Sequence, residues 1–265
     1  ELSILNLDDA VKACPTTPLD DESLGMPMFY SSGTTGRPKG IMRELADQSP
    51  AQALPVYECL ADLWRFRPGM TYLSPAPLYH SAPNVSVDLT LRAGGTAIIM
   101  ERVDPEHYLQ LVEKYRPTHS QLVPTMFWRM LKLPDDVRNS YDVSSLEIAL
   151  HTAAPCPPRV KEQMIDWWGS ILFEYYTATE ALGIAACDTP HWLAHRGTVG
   201  EVVKGELHVL DENMQQSPKG EPGTLWFKTA FEFEYFNDPV KTAESRSPDG
   251  TMTTVGDVGY VDDDG

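Results

Sequence analysis

The chain has 265 residues, 42% of them hydrophobic, and a formal charge of −17 at neutral pH from 21 basic and 38 acidic residues. This composition predicts a folded globular protein and excludes nucleic acid as a main partner, because a phosphate backbone needs a basic surface. No apolar run suits a transmembrane segment and the first residues lack the basic start of a signal peptide, so we expect a cytoplasmic protein with free cysteines.

A short apolar run at residues 26–30 predicts a strand that opens into a turn rich in glycine, serine and threonine. Farther along, strand and helix patterns alternate. The predicted strands are 71–74, 96–100, 119–123, 145–150 and 171–176, and the predicted helices are 51–66, 84–91, 105–116, 124–131 and 158–168. Such alternation is typical of an α/β fold with a doubly wound, mostly parallel sheet.

The pattern changes after about residue 195. Two runs, residues 205–210 and 223–228, read as strands separated by turn residues, which indicates a smaller antiparallel subdomain, barrel-like or sandwich-like. We therefore predict two parts, an α/β part at residues 1–195 and an antiparallel β part at residues 196–265.

The turn after the first strand, YSSGTTGRPKG at residues 30–40, has the composition of a phosphate-binding loop. Glycines let backbone amides approach an anion, hydroxyls add donors, and Lys39 adds a charge. A flexible surface loop would have the same composition. The order of residues also excludes the Walker loop, because Gly36 is not followed at the required spacing by Gly-Lys-Ser/Thr.

Residues 30–40 resemble the signature loop of the adenylate-forming superfamily, which includes acyl-CoA synthetases, luciferases and peptide-synthetase adenylation domains. Four further segments resemble motifs of the same superfamily, in the same order: Pro77–His80, His151–Pro155, Glu174–Glu180 and Gly256–Gly265. Within this superfamily, the sequence pattern is most similar to that of bacterial fatty-acyl and related acyl-CoA synthetases.

The resemblance implies two sets of ATP-binding residues. The set that holds the polyphosphate and pyrophosphate is Ser31, Ser32, Gly33, Thr34, Thr35, Gly36 and Lys39. The set that holds adenine, ribose and the α-phosphate is Ala153, Ala154, Pro155, Glu174, Tyr175, Tyr176, Thr179 and Asp257. Read without the motifs, Tyr176 is equally a core tyrosine and Asp257 a turn residue.

The catalytic residues that the resemblance implies are Lys39, His80, Thr179 and Glu180, with Glu180 as the Mg²⁺ ligand. A single carboxylate suffices there, because magnesium takes its other ligands from phosphate oxygens and water. Outside the motif, Glu180 reads as a solvated helix start. A lone histidine such as His80, after a proline-rich turn, is more often structural than catalytic.

The implied reaction joins a small-molecule carboxylic acid to coenzyme A at the expense of ATP. A carboxylic acid has a pKa of about 4 and is already ionised at neutral pH, so adenylation needs charge compensation rather than a general base. Residues 81–91 would line the acyl site, where Asp88 either faces away or meets a polar group of the substrate.

Several alternatives stay open at this stage. The acceptor is either coenzyme A or a carrier protein, and a non-catalytic nucleotide-binding or interaction module is a third hypothesis. Thr177 stands where relatives carry glycine. We also expect the small mobile C-terminal domain of relatives to be absent from these residues, and therefore weak or no adenylation by this chain alone. The carboxylic acid itself and a homo-oligomeric state are not determined by the sequence.

Overall fold

The structure, a computed structural model, describes residues 6–12, 14–31, 38–45, 47–52, 54–228 and 232–265. Its helices are α1 (Leu7–Val11), α2 (Pro55–Leu63), α3 (Ser81–Arg92), α4 (Pro105–Tyr115), α5 (Pro124–Leu131), α6 (Asp135–Arg138), α7 (Pro158–Trp168), α8 (Thr189–Ala194) and α9 (Pro239–Glu244). Its strands are β1 (Phe29–Ser31), β2 (Lys39–Arg43), β3 (Thr71–Ser74), β4 (Thr96–Ile99), β5 (His119–Leu122), β6 (Ile148–His151), β7 (Leu172–Tyr176), β8 (Ile184–Cys187), β9 (Glu201–Lys204), β10 (Glu206–Leu210), β11 (Gly223–Lys228), β12 (Phe233–Tyr235) and β13 (Val258–Gly259).

The largest sheet has seven strands in the order β4-β3-β5-β6-β7-β8-β9. The first five of these pair in parallel, and β8 and β9 add antiparallel strands at one edge. From β4 the chain crosses β3 to reach β5, so the direction of winding reverses between β3 and β5. Ligands of open α/β sheets bind beside the carboxyl ends of strands at such a reversal.

Helices cover both faces of this sheet. In β6, Ile148 and Leu150 pack with Trp64, which follows α2, whereas Ala149 packs with α4, α5 and α7. Successive side chains of a strand point to opposite faces, so the two clusters lie on opposite sides. The predicted α/β class with a doubly wound, mostly parallel sheet is confirmed.

Two three-stranded antiparallel sheets complete the fold, β1-β2-β12 and β10-β11-β13. The pairing of β10 with β11 confirms the two strands predicted after residue 195, while a closed barrel stays a prediction. β12 pairs with β2, and β9 pairs with β8. Strands from both sides of residue 195 therefore share sheets, and the division at that residue also stays a prediction.

Helix ends that depend on local signals agree with the sequence. Asp104 accepts a hydrogen bond from the amide of His107 at 2.8 Å at the start of α4, and Arg116 ends that helix in a left-handed conformation. α5 and α7 also have the predicted bounds. No helix in these described ranges is long and apolar enough to span a membrane.

Other predicted bounds were wrong. α2 begins only at Pro55, because proline is favoured in the first turn of a helix and residues 50–51 form a turn. α3 begins directly after His80 rather than at residue 84. β6 occupies Ile148–His151, later than the predicted 145–150. β1 likewise lies at the end of the predicted run, at Phe29–Ser31.

Candidate functional site

Loops that carry the predicted site residues leave the large sheet at the carboxyl ends of its parallel strands. His80 follows β3, Ala153 follows β6 and Glu180 follows β7. These strands are parallel, so their carboxyl ends lie together. Ala153 and Ala181 have left-handed φ angles of 75° and 61°, which are uncommon for residues with a side chain and often mark ligand sites.

The hairpin of β1 and β2 holds the residues at the two ends of the glycine-rich loop. Ser31 pairs with Lys39 in the hairpin register, so the two ends of the loop are fixed. The predicted phosphate-binding residues Ser32, Gly33, Thr34, Thr35 and Gly36 lie outside the described residues. Of the polyphosphate set, the structure therefore places Ser31 and Lys39.

Lys39 and Glu180 contact different parts of one tyrosine, Tyr235. The Nζ atom of Lys39 lies 5.4 Å from the ring centroid of Tyr235, and the hydroxyl of Tyr235 donates to Oε1 of Glu180 at 2.7 Å. Burial and the neighbouring Glu180 carboxylate raise the pKa of Tyr235, so this tyrosine stays a neutral donor. A predicted phosphate-binding cation and a predicted metal-binding carboxylate thus contact the same tyrosine.

Tyr176 and Asp257, which come from different motifs, are joined directly. The hydroxyl of Tyr176 donates to Oδ2 of Asp257 at 2.8 Å. The pKa of Tyr176 is raised by burial and by this bond to Asp257, which keeps the hydroxyl protonated. The Tyr176 ring stacks on Phe227 with 6.4 Å between ring centroids.

Thr179 lies between α3 and β2. Its hydroxyl is 3.3 Å from the hydroxyl of Ser81, and its carbonyl accepts a hydrogen bond from Nη2 of Arg43. Thr177, which replaces a glycine of the motif, donates its hydroxyl to the carbonyl of Gly183 at 2.8 Å. The hydroxyl of Thr177 is therefore engaged within the loop that β7 and β8 enclose.

Other predicted site residues lie in the loops after β3 and β6 and take no part in the contacts described above. His80 is exposed and its ring lies 4.5 Å from that of Tyr79, measured between centroids. Ala153, Ala154 and Pro155 are exposed in the loop after β6. The catalytic role of His80 and the adenine contacts of the loop stay predictions.

Glu174 and Tyr175 occupy interior positions that the sequence analysis did not anticipate. Oε2 of Glu174 accepts from Nζ of Lys161 at 2.6 Å, and the hydroxyl of Tyr175 accepts from Nε2 of Gln121 at 2.6 Å. Both side chains are buried and engaged within the protein. This geometry argues against the predicted contact of either side chain with a nucleotide, and leaves only their backbone for that role.

His151 lies beside this buried pair. Its Nε2 is 3.6 Å from Oε2 of Glu174, beyond hydrogen-bond distance, and neither ring nitrogen has a partner among the residues described. Burial, and then the Lys161 cation, lower the pKa of His151 to about 3. Burial raises the pKa of Glu174, while Lys161 opposes that rise. His151 is therefore neutral at physiological pH.

A cavity of about 90 Å³ opens beside Thr179, between α2, α3 and the carboxyl end of β7. Its apolar lining includes Phe29, Val56, Leu60, Trp64, Val85 and Ile184, and its polar lining includes Arg43, Tyr57, Ser81, Thr179 and Lys204. Ser81 and Val85 belong to the segment predicted to line an acyl site. Asp88 of the same segment is not among the described residues that line the cavity, and its carboxylate accepts from Nε of Arg92 at 2.8 Å.

The residues of the site that the sequence did not single out are Arg43, Tyr235 and Tyr57. Arg43 and Tyr235 contact the motif residues Thr179 and Glu180 across 136 and 55 positions of sequence. The one local signal was the spacing of Lys39, Ile41 and Arg43, which alternate along β2 and therefore share its inward face. Such long-range contacts cannot be read from local patterns.

Comparisons with known proteins agree with the motifs. A sequence profile of AMP-binding enzymes matches residues 6–234. A 4-coumarate–CoA ligase of Pinus taeda is 31% identical over an alignment that covers 99% of this chain and 50% of the relative. The chain spans about half the length of the curated relatives it matches.

Solved structures give the same result. ATP-bound MatB from Rhodopseudomonas palustris matches with a TM-score of 0.73 and 27% identity, and the match covers 90% of this chain and 46% of that one. The amide bond synthetase McbA from Marinactinospora thermotolerans matches with a TM-score of 0.71 and 27% identity, over 89% of this chain and 46% of that one. The Pinus taeda relative is named a CoA ligase and McbA an amide bond synthetase, so the names of these two proteins indicate different acceptors.

Proposed function

Because this chain belongs to the AMP-binding enzyme family, we propose that it forms the nucleotide- and acyl-binding part of an ATP-dependent acyl-CoA synthetase. In the proposed reaction a carboxylate attacks the α-phosphorus of ATP and expels pyrophosphate. The thiol of coenzyme A then attacks the acyl-adenylate and releases AMP.

One observation carries the proposal. Four residues predicted from three motifs form two contacts, each between residues of different motifs: Tyr176 with Asp257, and Glu180 with Lys39 through Tyr235. An aromatic ring beside a carboxylate suits a nucleoside, and a lysine beside a second carboxylate suits a metal-bound polyphosphate. This meeting of complementary groups from different motifs is what supports the proposal.

These residues act by positioning and charge compensation. The substrate acid is ionised at neutral pH, so no residue has to remove a proton from it. Asp257 would accept hydrogen bonds from the ribose hydroxyls, with Tyr176 beside the base. Lys39 would offset charge on the leaving pyrophosphate. Two mutually repelling anions held in line by fixed groups react faster than free ones.

Glu180 fits a magnesium ion bound together with phosphate. Oε1 of Glu180 accepts from Tyr235, and Oε2 has no hydrogen-bond partner in the described ranges. Those ranges contain no group of three or more histidines, cysteines, aspartates or glutamates that could hold a metal by themselves. Magnesium commonly takes one or two carboxylates and completes its shell with water and phosphate oxygens. The metal would supply charge stabilisation on the polyphosphate.

The acceptor is the finer part of the proposal. Coenzyme A is favoured because the relatives that match most of this chain are named CoA ligases. Transfer of the acyl group to a carrier protein is the alternative. Release of AMP that depends on coenzyme A would support the first, and release that depends only on an acyl carrier protein would support the second.

Calorimetric titration with ATP and Mg²⁺ tests the nucleotide site. We expect the native chain to bind ATP, and Asp257→Ala to bind it about tenfold more weakly, because a charged acceptor for the ribose hydroxyls is lost. The exposed Asp20→Ala is a matched control for the change in charge. A native chain that fails to bind ATP would favour the non-catalytic interaction module instead.

A further inference from the structure

Arg43 is one of two cations on the inward face of β2. Side chains alternate along a strand, so Lys39, Ile41 and Arg43 share one face, and Ile41 is buried there. Lys39 lies against Tyr235, whereas Arg43 reaches the carbonyl of Thr179. Arg43 is four positions after Lys39, so the Cα atoms of the two residues lie about 13 Å apart along the strand. They therefore serve different parts of the site.

The guanidinium of Arg43 is only partly paired. Nη2 donates to Thr179, Nε is buried without a hydrogen-bond partner, and no carboxylate lies within 4 Å, as far as the described residues extend. Burial lowers the pKa of Arg43, an effect that Tyr57 and Glu180 oppose, yet an arginine stays charged in proteins. A desolvated cation without an anion is unfavourable, so this position suits an anionic ligand.

The surroundings of Arg43 indicate which anion. Arg43 lines the cavity beside Thr179, where Leu60 and Trp64 provide an apolar wall. Phosphate has no apolar part to place there, whereas a carboxylic acid has a charged head and an apolar tail. The hydroxyls of Ser81 and Tyr57 also line the cavity and add donors near the cation.

We propose that Arg43 binds the carboxylate of the acid substrate and places its apolar tail in the cavity between α2 and α3. This inference rests on the proposed function and names the residue that selects an ionised acid at that site. The fork of a guanidinium matches the two oxygens of a carboxylate. Arg43 also holds the backbone of Thr179, so the bound carboxylate lies next to the predicted α-phosphate contact.

Butanoate and its neutral isostere butanamide are the probes, because a cavity of about 90 Å³ is smaller than the roughly 150 Å³ cavity known to take benzene. Each is titrated into the native chain and followed by NMR chemical shifts. We expect butanoate to bind about tenfold more tightly than butanamide, since hydrogen bonds to charged groups are the stronger ones.

Variants separate recognition from a structural role. Arg43→Gln is expected to remove the preference for butanoate while its affinity for butanamide stays within about twofold, and Arg43→Lys to retain part of the preference. A loss of folding would weaken both probes alike. Arg67→Gln, which removes an exposed arginine paired with Glu147, is the matched control and should keep the full preference.

Three results would overturn the inference: equal binding of the two probes by the native chain, no binding of butanoate, or an unchanged preference in Arg43→Gln. Loss of ATP binding in Arg43→Gln and Arg43→Lys without any change in the butanoate preference would assign Arg43 to the nucleotide instead. A native chain that prefers butanoate but does not bind ATP would refute the proposed function and keep this anion site.

Discussion

Glu174 and Glu180 are both buried, on β7 and on the loop that follows it, but different groups satisfy them. Glu174 accepts from the ammonium of Lys161 at 2.6 Å, and the Lys161 Nζ atom also lies 4.8 Å from the ring centroid of Trp192. Glu180 accepts from the neutral hydroxyl of Tyr235. The first carboxylate is charge-compensated, whereas the second has no ion pair within 4 Å in the part of the chain that is described.

This difference separates a carboxylate that stabilises the fold from one that is available to a ligand. A buried ion pair satisfies both partners and offers nothing to an incoming metal. Glu180 instead accepts a hydrogen bond from a hydroxyl at Oε1, which fixes its direction and leaves Oε2 without a hydrogen-bond partner among the described residues. Both residues fall within the same motif-like segment, so only their surroundings distinguish the two roles.

The largest expected effect comes from breaking the compensated pair. Lys161→Met leaves Glu174 buried without its cation, and removal of one partner of a buried ion pair costs about 3–5 kcal/mol. We expect urea denaturation at neutral pH to show a loss of unfolding free energy of that size. The loss should shrink at acidic pH, where Glu174 takes up a proton.

The double variant Lys161→Met, Glu174→Leu sharpens the result. Replacing both charges with apolar groups of similar volume is often neutral or stabilising, so the double variant should recover most of the lost stability. Equal instability of the single and double variants would show that Lys161 acts through packing rather than charge.

His151 provides a second test at the same place. Its native pKa of about 3 lies below the value of about 6.5 expected in the unfolded chain. Between these values the unfolded chain holds a proton that the native state does not, so stability falls as pH falls. The loss from His151 should reach about 2–3 kcal/mol between about pH 6.5 and 4.5. Urea denaturation across this range measures it.

His151→Leu should flatten this dependence without removing it. Burial also lowers the pKa of His119, which acts in the same direction and is retained in the variant. Identical slopes for the native chain and His151→Leu would mean that His151 takes up its proton in the folded state, and that the cluster around Glu174 admits solvent.

The sequence was sufficient where structure depends on local signals. Pro124, Pro158 and Gly169 set the bounds of α5 and α7, and the alternation of strands and helices predicted the parallel sheet. β2, β8 and β9 were not predicted, because each is short and is defined by its partner strand. Pairing with a distant strand leaves little trace in four or five residues.

The candidate site likewise has a part that the motifs predicted and a part that depends on the packing of side chains. Motif order predicted Lys39, Tyr176, Glu180 and Asp257. In the structure Tyr176 contacts Asp257, and Lys39 and Glu180 both contact Tyr235. The motif also suggested Glu174, whose side chain packs against Lys161 on α7 instead. A motif records which residues recur together, whereas the direction of a side chain depends on the alternation of the strand and on what packs against each face.

The smallest expected effect concerns Glu180, the second carboxylate of the comparison. Tyr235→Phe removes the hydrogen bond that Glu180 accepts from Tyr235, the one hydrogen-bond partner of its side chain among the described residues. Loss of a hydrogen bond to a metal-binding carboxylate, the role predicted for Glu180, typically weakens metal affinity by about tenfold or more. We expect calorimetry to show that ATP binding needs about tenfold more Mg²⁺ in the variant, with a loss of unfolding free energy of about 1–2 kcal/mol.

The matched control for this change is Tyr260→Phe, which removes an exposed hydroxyl. Its Mg²⁺ requirement should equal that of the native chain. If Tyr235→Phe loses stability but keeps its Mg²⁺ requirement, then Tyr235 supports the fold as Lys161 does, and the contrast between Glu174 and Glu180 disappears. If instead the Mg²⁺ requirement rises, the Tyr235 hydroxyl orients Glu180 for a metal ion. A lysine at that place would neutralise the carboxylate, as Lys161 does for Glu174.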